Sequence, residues 1–128
     1  MNNLIEMGQD HYAFAVSPAI VVGACGHGLA MIRALAAEGI PVLALEANRS
    51  LPGTRTRLAP VVFTADINGN GLIEALIALR GAIRCPGRPV LMLTNDTMVR
   101  TVSENWLRLS AHYSLSWSAR RDALLVLQ

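Results

Sequence analysis

The chain has 128 residues, of which 52% are hydrophobic and 16% are charged, and its formal net charge is +2. This length fits one domain with its own core, and the net charge is too small to argue for nucleic-acid binding. All 11 residues of the lysine-plus-arginine total are arginine, which excludes a Walker-type phosphate loop and Schiff-base chemistry, because both need lysine.

The cysteines and the hydrophobic stretches indicate a cytoplasmic protein. Cys25 and Cys85 lack the close spacing of a metal-binding pair, and two cysteines in an α/β domain are typical of reduced thiols. The first residues do not show the basic and then apolar pattern of a signal peptide. The apolar window over 13–45 is interrupted by Pro18, glycines and Glu38, so we expect no membrane span.

Short apolar runs alternate with helical patterns along 18–128, after a lead-in at 1–17. In chain order these patterns predict strands at 19–22, 42–46, 61–66, 90–94 and 113–117, and helices at 28–38, 72–83, 96–112 and after Ser118. Gly39 stops the first helix. Asp96 caps the helix at 96–112, and the core face of that helix contains Val99, Val102, Trp106 and Leu109.

The alternation defines the fold class. The predicted strands are apolar on both faces and separated by helices, which is typical of a parallel sheet covered on both sides. Right-handed crossovers then give the strand order 3-2-1-4-5. We therefore predict a Rossmann-like open parallel α/β sheet with helices on both faces.

A glycine-rich turn follows the first predicted strand. Gly23, Gly26 and Gly28 form G-x-x-G-x-G, which differs in spacing from the dinucleotide fingerprint G-x-G-x-x-G. The turn could bring backbone N–H groups and a helix N-terminus to a ligand oxygen, or could serve only to pack the helix on the strand. Glu46 is either a ribose ligand or a solvated acid at a strand end, and His27 is either a ligand contact or a solvent-facing loop residue.

Polar residues follow two other strands at the same carboxyl edge, where open α/β sheets bind ligands. Arg49, Arg55 and Arg57 lie in the loop after the second strand and either bind an anionic carboxylate or phosphate or form a solvated basic loop. Asn95 and Asp96 follow the fourth strand, where Asp96 is a helix cap or a ligand contact.

Three segments together resemble the N-terminal, pre-ATP-grasp domain of ATP-grasp carboxylate–amine ligases. They contain the glycine turn with a helix that ends in G-I-P-V at 39–42, the arginine-bearing loop GTRTR at 53–57, and the strand that ends in T-N-D at 94–96 followed by S-E-N at 103–105. The resemblance covers 19–117. Each motif alone is loose, and the specificity lies in their order and spacing.

The resemblance implies that the chain helps to form the site for a small-molecule carboxylate and is not catalytic alone. It places ATP and Mg²⁺ in following ATP-grasp domains of the full-length enzyme, with no cofactor in this chain, and we expect weak homodimerisation through apolar surface that those domains cover. The alternative is an NAD(P)-binding domain of an oxidoreductase or sensor. The candidate substrate-binding residues are Gly23, Gly26, His27, Gly28, Glu46, Arg55, Arg57, Asn95 and Asp96.

Overall fold

A computed structural model of the chain describes residues 5–6 and 11–115, so the helix predicted after Ser118 lies outside the described residues. In chain order the elements are β1 (Ile5–Glu6), β2 (Tyr12–Ala13), β3 (Ala19–Val22), α1 (Gly26–Ala37), β4 (Val42–Glu46), a 3₁₀ turn (Pro52–Arg55), β5 (Val61–Thr64), α2 (Asn70–Ala82), β6 (Ile83–Arg84), β7 (Val90–Leu93), α3 (Asp96–Glu104), α4 (Trp106–Leu109) and β8 (Ser114–Leu115).

The predicted fold class and strand order are confirmed. Five parallel strands lie in the order β5-β4-β3-β7-β8, which is the predicted order 3-2-1-4-5. The sheet differs in detail, because β1 pairs antiparallel with β5 at one edge and β2 pairs with β6 in a separate two-stranded sheet. The predicted lead-in therefore contributes two short strands to the fold.

The two faces of the sheet bury alternate residues of each strand, as the period of a strand requires. On one face, Ile20 and Leu43 belong to a large core with residues of α2, α3 and α4. On the other face, Val21 and Ala44 pack with Ile32 of α1. Helices thus cover both faces, and β3 in the centre is buried throughout.

The helix predicted over 96–112 is wrong in its extent. Asn105 has a non-helical backbone, and its side-chain Nδ2 donates to the carbonyl oxygen of Thr101 at 2.8 Å. This side-chain bond uses the Thr101 carbonyl oxygen, to which the backbone N–H of Asn105 would donate in a continuous α-helix, and α3 is thereby separated from α4.

Within the described residues, no helix is long and apolar enough to cross a bilayer.

The break changes which side chains of this region reach the core. Met98 is buried on α3, whereas the predicted core residues Val99 and Trp106 are only partly buried against the core. The predictions for Val102 and Leu109 are confirmed, since both are fully buried. Trp106 therefore serves packing at the core margin.

Tyr113 gives the fold a predicted sensitivity to alkaline pH. Its side chain is fully buried, and its hydroxyl donates to the carbonyl oxygen of Leu76 at 2.6 Å. Burial raises the pKa of the Tyr113 phenol well above its usual range, because the ionised form would lose its hydration. The folded state therefore holds this proton more tightly than the unfolded state.

We expect the stabilisation linked to Tyr113 to be complete below the unfolded pKa of about 10 and to fall above it by up to about 1.4 kcal/mol per pH unit. The chain has no lysine, so few other side chains titrate in that range. Tyr113→Phe should cost about 1 kcal/mol at neutral pH and flatten this decline. Urea unfolding between pH 7 and about pH 11 measures both effects.

The control is Val102→Ala, which removes buried methyl groups and no ionisable group. It should lower the free energy of unfolding at every pH and keep the wild-type alkaline decline. An unchanged decline in Tyr113→Phe would contradict the assignment of this pH sensitivity to Tyr113.

Candidate functional site

A cavity of about 290 Å³ lies at the carboxyl edge of the parallel sheet, among the loops that follow β3, β4, β5 and β7. The chain passes from β3 to β4 on one side and later enters β7 on the other side, so this edge contains the topological switch point of the sheet. Open α/β sheets bind ligands at such points. The polar side chains of the wall belong to Cys25, Glu46, Asn48, Asn68, Thr94 and Asn95.

The backbone geometry of the turn after β3 requires glycine at two positions. Gly23 has a φ of +102°, and a Cβ there would overlap Oγ1 of Thr94, which donates to the carbonyl oxygen of Val22 at 2.7 Å. A Cβ on Gly28 would overlap the carbonyl oxygen of Gly23. Glycine is thus needed at both positions for the turn and for helix packing, with or without a ligand.

Gly26 and His27 lie in the first turn of α1 and not in the loop before it, because the helix begins two residues earlier than predicted. Both residues are exposed, and His27 faces solvent. A Cβ on Gly26 would have no neighbour within 4 Å among the described residues. Neither residue lines the cavity.

Glu46 is buried, and its carboxylate links two segments of the chain through hydrogen bonds. Its side chain is only 3% exposed, so the expectation of a solvated acid is wrong. Oε1 accepts from the backbone N–H of Ala24 at 2.8 Å, and Oε2 accepts from the backbone N–H groups of Ala47 at 2.6 Å and Asn48 at 2.9 Å. These charge-assisted bonds join the glycine turn to the end of β4.

Asn95, and not Asp96, caps the N-terminus of α3. The Asn95 side-chain oxygen accepts from the backbone N–H of Met98 at 2.8 Å, and its Nδ2 donates to the side-chain oxygen of Asn68 at 3.1 Å. Asp96 is the first helical residue, is exposed and does not line the cavity. Its negative charge there interacts favourably with the positive end of the helix dipole.

The structure does not bring the candidate arginines to the cavity wall. Arg55 ends the 3₁₀ turn and Arg57 follows it, and both are exposed. The Arg49 guanidinium lies over the ring of Phe63, 4.1 Å from its centroid. The loop is therefore a basic surface beside the sheet edge.

Two asparagines of the wall are not among the site residues predicted from the sequence, although each follows a strand end. Asn48 comes two residues after β4, and Asn68 lies in the polar loop after β5. The Asp66 carboxylate fixes this second loop, because it accepts from the backbone N–H groups of Asn68 at 2.9 Å and Gly69 at 3.0 Å. The rule that ligands bind at strand ends could have indicated both asparagines.

Over 5–6 and 11–115, no three histidine, cysteine, aspartate or glutamate side chains form a group that could hold a metal ion. No protein-family model matches the chain, and no curated protein sequence matches it. Its function therefore has to follow from the fold, the cavity and the motifs of the chain itself.

Proposed function

We propose that the chain is the N-terminal substrate-site domain of an ATP-dependent carboxylate–amine ligase. In the full-length enzyme, ATP would phosphorylate a small carboxylate with Mg²⁺ in following ATP-grasp domains, and an amine would attack the acyl phosphate and release inorganic phosphate. This chain would contribute to the site of the acid and would not catalyse the reaction alone. The observation that carries the proposal is the cavity at the switch point of the sheet.

Two of the motif segments behind the resemblance meet at that cavity. The glycine turn contributes Gly23, and the T-N-D segment contributes Thr94 and Asn95. They are distant in the sequence and adjacent in space, because β3 and β7 are neighbouring parallel strands. The third motif, the arginine loop, lies at the same edge outside the wall and does not add to this support.

The geometry gives less support to dinucleotide binding. A ribose diol needs a free carboxylate at the end of the second parallel strand, and the Glu46 carboxylate there already accepts three backbone N–H groups. The cavity volume of about 290 Å³ lies at the small end of ligand pockets, which span about 300–1,000 Å³. A compact acid fits this space better than a dinucleotide.

The test uses the complete gene product with ATP, Mg²⁺ and a panel of small carboxylates and amines. We expect ADP release that needs both a carboxylate and an amine. Asn68→Trp, at an exposed position on the cavity wall, should raise KM for the carboxylate and leave KM for ATP unchanged. Leu107→Trp is the control, because Leu107 is 95% exposed and lies on α4, off the cavity wall.

Failure of every carboxylate and amine pair to promote ADP release would contradict the ligase proposal. An Asn68→Trp variant that changes KM for ATP and not for the carboxylate would contradict the placement of the acid in this cavity.

We also expect this chain alone to bind neither NAD(H) nor ATP in the low-micromolar range. It lacks the usual glycine spacing and lysine, and the Glu46 carboxylate is occupied. Isothermal titration calorimetry with each nucleotide is the measurement. Low-micromolar NAD(H) binding would favour the dinucleotide alternative, and the same result with ATP would contradict the division of labour between the domains.

A further inference from the structure

The three asparagines of the cavity wall use their side-chain oxygens within the protein. The Asn48 oxygen accepts from the backbone N–H and the hydroxyl of Ser50 at 3.0 and 2.7 Å. The Asn68 oxygen accepts from Asn95 Nδ2 at 3.1 Å, and the Asn95 oxygen accepts from the backbone N–H of Met98 at 2.8 Å. What the three amides retain for a ligand is chiefly N–H donors.

The other strong acceptor of the wall is occupied as well. Both oxygens of Glu46 accept backbone N–H groups, three in all. The wall contains no arginine and no histidine among its described residues. Cys25, at the N-cap of α1, brings the positive end of the helix dipole to the cavity. The wall therefore offers a ligand neutral N–H donors, and the one charged side chain among its described lining residues, the Glu46 carboxylate, already accepts three backbone N–H groups.

We propose that Asn48, Asn68 and Asn95 are the specificity-determining residues of the cavity and that they select a compact carboxylate through neutral amide N–H donors. This inference rests on the proposed function of the domain as the site for an acid substrate. A carboxylate matches the wall because its oxygens only accept hydrogen bonds. An ammonium or polyhydroxyl ligand would have to share oxygens that already accept hydrogen bonds from the protein.

The dependence of carboxylate affinity on ionic strength distinguishes binding by neutral amide donors from binding by arginine. Binding through amide N–H donors forms no ion pair, so the carboxylate affinity should change little with ionic strength. Binding through Arg55 and Arg57, which are exposed, would weaken markedly as salt screens the charges. A phosphate dianion needs more charge compensation than this wall provides, so it should bind less well than a carboxylate.

The experiment is an NMR titration of the ¹⁵N-labelled chain with sodium acetate, acetamide, inorganic phosphate and ethylammonium chloride as probes. Acetate should shift the amide signals of the cavity wall more strongly than the other three probes. Its dissociation constant should stay within about twofold between low and high salt.

Three variants test the donors. Asn48→Asp and Asn95→Asp keep the oxygen that Ser50 or Met98 uses and remove the amide donors, and each should lower acetate affinity about tenfold. Asn68→Leu removes the donors without adding charge, and it also removes the oxygen that accepts from Asn95 Nδ2. It should lower acetate affinity about threefold to tenfold.

The control is Asn70→Asp, which adds the same charge at an exposed position nearby, at the start of α2 and off the cavity wall. It should leave acetate affinity within about twofold of the parent. Heteronuclear spectra of each variant establish that the fold is retained.

The inference is overturned if acetate shifts no cavity residue at the highest concentration reached, if phosphate binds better than acetate, or if the asparagine variants bind acetate like the parent. It is also overturned if Arg55→Ala with Arg57→Ala abolishes acetate binding. Asparagine-dependent acetate binding without any ligase activity of the complete gene product would contradict the proposed function and leave the selectivity of the cavity standing.

Discussion

Gly23→Val is expected to destabilise the fold by more than about 3 kcal/mol, enough to unfold a marginal domain. The backbone of Gly23 has a φ of +102°, which a β-branched residue adopts only with strain. The new Cβ would also overlap Oγ1 of Thr94, and its relief would break the Thr94 bond to the Val22 carbonyl oxygen. Urea unfolding followed by circular dichroism measures the loss.

Gly26→Ala is the matched control within the same motif. Gly26 is the first residue of α1, is exposed and has an open space where a Cβ would lie. Alanine is the better helix former, so the variant should unfold like the parent or gain up to about 1 kcal/mol. If Gly23→Val were as stable as the parent, the turn described for the end of β3 would be wrong.

The core of the fold could be predicted because it depends on long-range patterns that the sequence displays. Apolar runs such as 42–46 are too short for helices and are separated by helical patterns, and the handedness of the crossovers then fixes the strand order. The strands β1, β2 and β6 could not be predicted, since two residues show no periodicity and, unlike the equally short β8, none of them has a place in the alternation of strands and helices. Their pairing depends on contacts with distant segments.

The edge that contains the site could be predicted, but the side chains of its wall could not. Asn95 and Asp96 are both good capping residues, and only the point where β7 ends decides that Asn95 caps α3. Arg55 and Arg57 follow the correct strand and yet remain in solvent. Which residues of a loop turn toward a cavity is decided by the local backbone path, which residue type and spacing do not specify.

The burial of the Glu46 carboxylate could not be predicted from the sequence either. An acid at the end of an apolar strand is usually solvated, but β4 is buried over its whole length. The carboxylate therefore enters the buried layer and must be satisfied there by N–H donors. Those donors are backbone groups of the glycine turn and of the following loop, and backbone donors leave no trace in the sequence.

We expect Glu46→Gln to lower the free energy of unfolding by about 2–4 kcal/mol. A glutamine has one oxygen, so its NH₂ group would face either the Ala24 N–H or the N–H groups of Ala47 and Asn48, donor against donor. Ala24 is completely buried, and its N–H cannot turn to water instead. The glycine turn would thereby lose its link to β4.

Urea unfolding and hydrogen exchange of the Ala24 amide measure this effect together. Exchange at Ala24 should accelerate in Glu46→Gln by more than the global loss of stability explains, because the turn opens locally once the carboxylate is gone. Glu38→Gln, an exposed glutamate at the end of α1, loses the same charge and should change stability by less than about 0.5 kcal/mol. A Glu46→Gln variant as stable as the parent, with Ala24 still protected, would mean that packing alone holds the turn on β4.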